Sequence, residues 1–172
     1  MKINFIRIFI YLFIFFIIFV FFVSLKKSNI YDTKSLIGQN INSFELPSID
    51  NVSQITHFDL TKNKYTLINF WASWCAPCRD EHKYLILLKK NYNLKILGIN
   101  FKDKKINASK FLINLGNPYF FVASDKKGRS SVDFGVYGIP ESILINNKLE
   151  ILKKFIGPLN QDDKEQIIKI IK

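Results

Sequence analysis

Cysteine is scarce in this chain: only Cys75 and Cys78 occur, in the run Trp74-Cys75-Ala76-Pro77-Cys78. Two residues so close together cannot build a disulfide-stapled scaffold, which needs several bridges closing longer loops. Histidine is equally sparse. A zinc site using Cys75, Cys78 and His82 would have only His57 left for its fourth ligand, where structural zinc wants four Cys or His ligands. A haem attachment site is excluded because Arg79 stands where Cys-x-x-Cys-His requires histidine. Acidic residues are also in deficit, 14 against 25 Lys and Arg. The lysines are scattered (Lys62, Lys64, Lys83, Lys89, Lys90, Lys102, Lys104, Lys105) and no stacking aromatics are interleaved with them, so the basic balance does not indicate a nucleic-acid surface. With 172 residues and no internal repeat, there is room for one ordinary domain beside the N-terminal segment.

What the chain does have is one long apolar run. From Ile8 to Val23 no residue is charged, and with its flanks the run reaches about 20 residues, the length a helix needs to cross a bilayer core. A helix can do so because its backbone polar groups are satisfied internally. A signal peptidase site wants small residues at −3 and −1. None are so placed around Ser24-Leu25-Lys26, which favours an uncleaved anchor. Lys2 and Arg7 on one side nearly balance Lys26 and Lys27 on the other. Charge alone therefore does not decide the orientation; first segments with a short basic N-terminus ordinarily leave that end inside, which places the domain outside the cytoplasm. The expected organisation is an anchor over 1–27, a polar linker over 28–40 and one domain over 41–172.

Within the domain, Phe44–Pro47 and Thr56–Leu60 read as an opening pair of short strands. Tyr65–Ala72 is a continuous β-rich run, as expected of a strand buried on both faces. From Pro77 to about Asn91 apolar residues recur at helical spacing, and proline is tolerated in a first turn. Leu94–Phe101 is a second core strand. Asn107–Leu115 is a helix stopped by Gly116-Asn117-Pro118. Tyr119–Ala123 is a brief strand and Gly128–Phe134 a short helix. Strands over 141–145 and 150–155 flank an Asn146-Asn147 turn, and Asn160 caps a last helix. The order is βαβ followed by αββα.

The cysteines therefore fall where a strand gives way to a helix. Unpaired N–H groups and the helix dipole favour a thiolate at that point, so Cys75 is the candidate nucleophile. Cys78, one turn on, can resolve the mixed disulfide that Cys75 forms. Trp74 is placed to shield one side of the sulfur. A purely structural disulfide is the competing reading, although so small a loop stabilises little.

Phe70-Trp71-Ala72-Ser73-Trp74-Cys75-Ala76-Pro77-Cys78 resembles the active-site strand and helix start of thioredoxins. Together with Cys78-Arg79-Asp80-Glu81-His82-Lys83-Tyr84-Leu85, Asn100-Phe101-Lys102-Asp103, Leu115-Gly116-Asn117-Pro118-Tyr119 and Gly135-Val136-Tyr137-Gly138-Ile139-Pro140-Glu141, it is similar to the CcmG/DsbE family of membrane-tethered thioredoxins. The resemblance implies an α/β thioredoxin fold, a central mixed sheet flanked by helices. It also implies a cis Pro140 opposite the disulfide, with Ile139 offering backbone groups to an extended substrate. Asn69 stands where general thioredoxins bury an aspartate, and the resemblance points to Glu81 as the acid near Cys78; the competing reading is a solvated helix charge. Glu141 matches an acidic groove residue, or is an ordinary strand-edge charge. His82 reads as a satisfied helix histidine.

The implied activity is that of a periplasmic thiol-disulfide oxidoreductase on the inner membrane. It would reduce apocytochrome c, or its mixed disulfides with maturation proteins, and draw electrons from a membrane thiol reductase of the DsbD or CcdA type, without metal or cofactor. Competing readings are a broader thiol reductase of the TlpA or ResA type and a tethered apocytochrome holdase.

Overall fold

The computed structural model describes residues 2–26 and 36–172. It divides into two units, an N-terminal helix and a C-terminal domain. The helix α1 spans Lys2–Lys26, and from Asn4 to Val23 it is long and apolar enough to cross a membrane. Its side chains over that stretch are exposed on every face. A helix of this length that is apolar all round is a candidate membrane span. Most of the expected linker, 28–35, lies outside the described residues.

The domain is built on a five-stranded sheet of order β5-β4-β3-β6-β7. β3 (Tyr65–Trp71) lies at its centre, parallel to β4 (Lys95–Phe101) and antiparallel to β6 (Glu141–Asn146). β5 (Phe121–Asp125) extends the parallel side. β7 (Ile151–Ile156) closes the antiparallel side. This is the mixed sheet expected from the sequence.

Successive residues of β3 point to opposite faces. Leu67 and Trp71 join one apolar cluster with Leu85 and Leu88 of α3 (Ala76–Tyr92), Phe111 of α4 (Lys105–Leu115) and Ile167 of α6 (Gln161–Ile171). Ile68 and Phe70 join the other, with Ile55, Leu60 and Phe134. Burial on both faces explains why β3 carries no polar alternation.

The opening segment departs from expectation. β1 (Glu45–Pro47) pairs with β2 (Gln54–Thr56), but His57–Leu60 is a short helix, α2, rather than strand. Thr56 N–H and Oγ1–H both donate to Asp59 Oδ2 at 3.0 Å. This Thr-x-x-Asp box turns the chain into a helical turn despite its alternating apolar pattern. Residues at the end of the expected linker are already engaged with the domain: Gly38 N–H donates to Ile151 O and Ile151 N–H to Gln39 O, both at 2.8 Å. Beyond β5, the short helix α5 (Arg129–Asp133) matches expectation, and α6 is capped by Asn160, whose side chain accepts from Asp163 N–H at 3.0 Å.

Gly98 of β4 makes a close approach to aromatic rings in the core. A Cβ there would lie 2.7 Å from the Tyr119 ring and 2.9 Å from Trp71 Nε1. Both are rigid aromatic groups stacked at 5.3 Å between centroids. Gly98→Ala is expected to destabilise the domain by about 1–3 kcal/mol through overpacking, measured as a lower denaturant midpoint at unchanged slope.

Candidate active site

The turn between β3 and α3 is braced from the neighbouring loop. Asp103 accepts from Ser73 N–H at 2.6 Å and Ser73 Oγ–H at 2.9 Å, and also from Asn100 Nδ2 at 3.1 Å. Trp74, 59% exposed, donates its indole N–H to Lys102 O at 3.2 Å. The position just before the motif is thus an outward-facing aromatic tied down at its edge.

Cys75 is the N-cap of α3 and Cys78 lies in the first turn. The two are joined as a disulfide. Cys78 N–H points at Cys75 Sγ from 3.2 Å, so the amide that caps this helix is aimed at the sulfur. Once the disulfide is reduced, that N–H and the helix dipole favour a thiolate on Cys75. Both cysteines are buried in the disulfide form, Cys75 at 5% and Cys78 at 2% exposure.

Glu81 lies three residues after Cys78, on the same face of α3, and is wholly buried. It is not a solvated helix charge. Oε1 accepts from Asn69 Nδ2 and Oε2 from Leu159 N–H, both at 2.8 Å. Asn69 is oriented in turn by Tyr119, whose hydroxyl donates to Asn69 Oδ1 at 2.8 Å. Its second amide hydrogen goes to Ser142 Oγ at 3.0 Å. Burial pushes the Glu81 carboxyl up to about 7, against the downward pull of the Leu159 and Asn69 hydrogen bonds. Burial likewise holds the Tyr119 phenol well above its ordinary value. The result is a carboxyl that can hold or release a proton near neutrality, beside a phenol and an amide that do not titrate there.

The Ile139–Pro140 peptide bond is cis, and Ile139 packs against the apolar cluster that contains both cysteines. Glu141 follows but does not face a groove as a free charge. It is buried at 3% exposure, with Oε1 accepting from Tyr137 and Gly138 N–H at 3.2 Å and Oε2 ion-paired to Lys154 Nζ at 2.8 Å. The reason is topological. The residue after Pro140 opens β6, and β6 is flanked by both β3 and β7. His82, also buried, donates Nε2–H to Gly116 O at 2.8 Å, and burial lowers its pKa; it acts as a structural histidine.

A redoxin model matches residues 36–171. The chain belongs to the redoxin family. This redoxin is 40% identical over 136 residues to the thiol:disulfide interchange protein DsbE of Escherichia coli, covering 78% of this chain and 73% of that one. It is 52% identical over 97 residues to the thiol:disulfide interchange protein CycY of Rhizobium leguminosarum. That match covers 56% of this chain and spans about half, 52%, of CycY. Among solved structures, one from Chlorobium tepidum assigned to DsbE superposes with a TM-score of 0.68 at 27% identity, covering 79% of this redoxin and 98% of the other chain. A redoxin domain of thioredoxin-like fold with a Cys75–Cys78 pair is an oxidoreductase.

Asn69 and Glu81 could be singled out from the sequence. Tyr119, Ser142, Leu159 and Lys154 could not: each comes from a segment distant in sequence from the cysteines, and no local pattern marks that approach.

Proposed function

We propose that this redoxin reduces disulfides by two successive exchanges at its one Cys-x-x-Cys. The Cys75 thiolate attacks one sulfur of a substrate disulfide, forming a Cys75–substrate bond and expelling the other substrate sulfur as a thiolate, which takes a proton. Cys78 then loses its proton and attacks Cys75 Sγ. The Cys75–Cys78 disulfide forms and the second substrate thiol leaves. Two electrons have passed to the substrate, and its two sulfurs take up two protons in place of the one lost when Cys75 ionised and the one lost by Cys78. Glu81 accepts the Cys78 proton in the second exchange, a role suited to a carboxyl near 7. The observation that carries the reading is the Cys75–Cys78 disulfide at the start of α3, with this acid one turn behind it.

The substrate we infer is apocytochrome c, in its own disulfide form or joined to a maturation protein, reduced before haem attachment. The sequence resemblance and the similarity to DsbE and CycY support this. The enzyme would be held by α1 in the inner membrane with its domain in the periplasm, and re-reduced by a membrane thiol reductase of the DsbD or CcdA type. Trp74, Ile139 and Pro140 form the face that receives the peptide.

Reducing the full chain and mixing it with an oxidised Cys-x-x-Cys-His peptide or with oxidised insulin tests this reading. Faster reduction of the peptide is expected. Equal rates point to a broader thiol reductase, and a Cys75–Cys78 potential near −120 mV, about that of a strong oxidant, overturns the reductant role.

A further inference from the structure

The loop that carries Ile139 and Pro140 is fastened by a single buried cation. Lys154 comes from β7, the outer strand of the antiparallel side, and its side chain is 2% exposed. Its ammonium donates to Gly135 O at 2.6 Å, where the chain turns through a positive φ of 68°. It also ion-pairs with Glu141 Oε2 at 2.8 Å and lies 5.9 Å from the centre of the Tyr137 ring. The other oxygen of Glu141 accepts from the Tyr137 and Gly138 amides. Gly135, Tyr137 and Gly138 are thus all secured to one Lys154–Glu141 pair standing on two adjacent strands.

A buried ion pair is a poor stabiliser, because desolvating two charges offsets most of their attraction. Apolar residues of similar size would serve stability as well. They could not bind a carbonyl at one end of a loop and, through a carboxylate, two amides further along it. The loop so held packs Ile139 against the cluster containing Cys75 and Cys78 and leaves Tyr137 69% exposed.

We propose that Lys154 is a positioning residue for substrate: with Glu141 it fixes the 135–140 loop so that a polypeptide disulfide is presented to Cys75. The role rests on the exchange reaction proposed above. It predicts a division by substrate size. A polypeptide lies along the loop and needs it held, whereas a low-mass disulfide needs only the sulfurs.

The test uses the detergent-solubilised full chain carrying Lys154→Met, Lys154→Arg or the pair Glu141→Gln with Lys154→Met. The double variant carries no unpaired buried charge and so remains informative if Lys154→Met alone folds poorly. The amide side chain that Glu141→Gln introduces retains an oxygen for the Tyr137 and Gly138 N–H groups, so Gly135 loses its anchor selectively. Steady-state reduction of an oxidised Cys-x-x-Cys-His peptide, with a dithiol reductant re-reducing Cys75–Cys78 and the enzyme-free rate subtracted, is compared with that of oxidised glutathione, alongside the Cys75–Cys78 potential. In the folded methionine variants KM for the peptide is expected to rise about tenfold, the scale of one lost hydrogen bond to a charged group. Peptide kcat, glutathione turnover and potential should stay unchanged, and Lys154→Arg should return KM most of the way. An unchanged peptide KM in a folded variant overturns the assignment, as does a shifted potential or glutathione rate, because Lys154 would then act on the cysteines themselves. Failure of the unsubstituted chain to reduce either compound overturns the exchange reading, and this one with it.

Discussion

Replacing Cys75 by serine is expected to reduce disulfide exchange to the uncatalysed background, whereas Cys78→Ser should retain the first exchange and stall after it. A hydroxyl at position 75 would receive the same Cys78 amide and the same helix dipole, but neither brings an alcohol into its ionised form near neutral pH, and exchange at sulfur requires a thiolate. In Cys78→Ser the attacking sulfur and its cap position survive and only the intramolecular release is lost, so the substrate stays bound through Cys75. Acid-quenched mass spectrometry reads the outcome directly as a 1:1 adduct in Cys78→Ser and none in Cys75→Ser. An adduct that instead accumulates through Cys78 would reverse the order of attack.

Glu81→Gln is expected to change both the pH dependence of stability and the release step. The folded-state value is about 7 against an ordinary 4.5. The fold therefore favours the protonated acid, and the ionised form is the disfavoured one. Stability from this group is fully present below pH 4.5 and is lost as pH rises to about 7. The gap between the two values corresponds to something on the order of 3 kcal/mol. Denaturant midpoints of the oxidised protein across that window should fall for the wild type. They should stay nearly level for Glu81→Gln, whatever constant offset comes from the amide that must face either Asn69 Nδ2 or Leu159 N–H. Equal slopes would show that Glu81 does not titrate there. In turnover, the glutamine variant should form the Cys75 adduct at the normal rate and release product roughly 10²-fold more slowly, the usual contribution of a positioned general base.

The strands that build the sheet interior are legible because their sequences admit few alternatives. Tyr65–Trp71 is mostly apolar on both faces, and its burial on both follows from that. Asn160 and Asp163 signal the start of α6 through a capping pattern that involves only near neighbours. Thr56–Leu60 misleads because two local rules compete within five residues: alternation suggests a strand, while the Thr-x-x-Asp box makes a helical turn. Tyr119 misleads in another way. Its sequence context opens β5 with it, but that strand begins at Phe121, and Tyr119 sits ahead of it with its hydroxyl against Asn69. Position 69 can be compared with thioredoxins because it lies six residues before Cys75. Two of its partners, Tyr119 and Ser142, lie 50 and 73 residues further along the chain, and only the tertiary fold brings them to it. Glu141 shows the limit most clearly. Its place after Pro140 is readable, but its ion-pair partner is Lys154, a residue with no local signature.

The hydrogen bond from Leu159 to Glu81 spans 78 residues. At synthesis rates of about 5–20 residues per second, roughly 4–16 s separate emergence of the acid from emergence of the amide that receives it. Throughout that interval the nascent chain carries both thiols without the C-terminal contact that completes their surroundings. Maturation of this enzyme therefore has a built-in order: the redox couple exists chemically from the middle of translation, but the carboxyl proposed as its proton acceptor gains its last hydrogen bond only when the tail has docked.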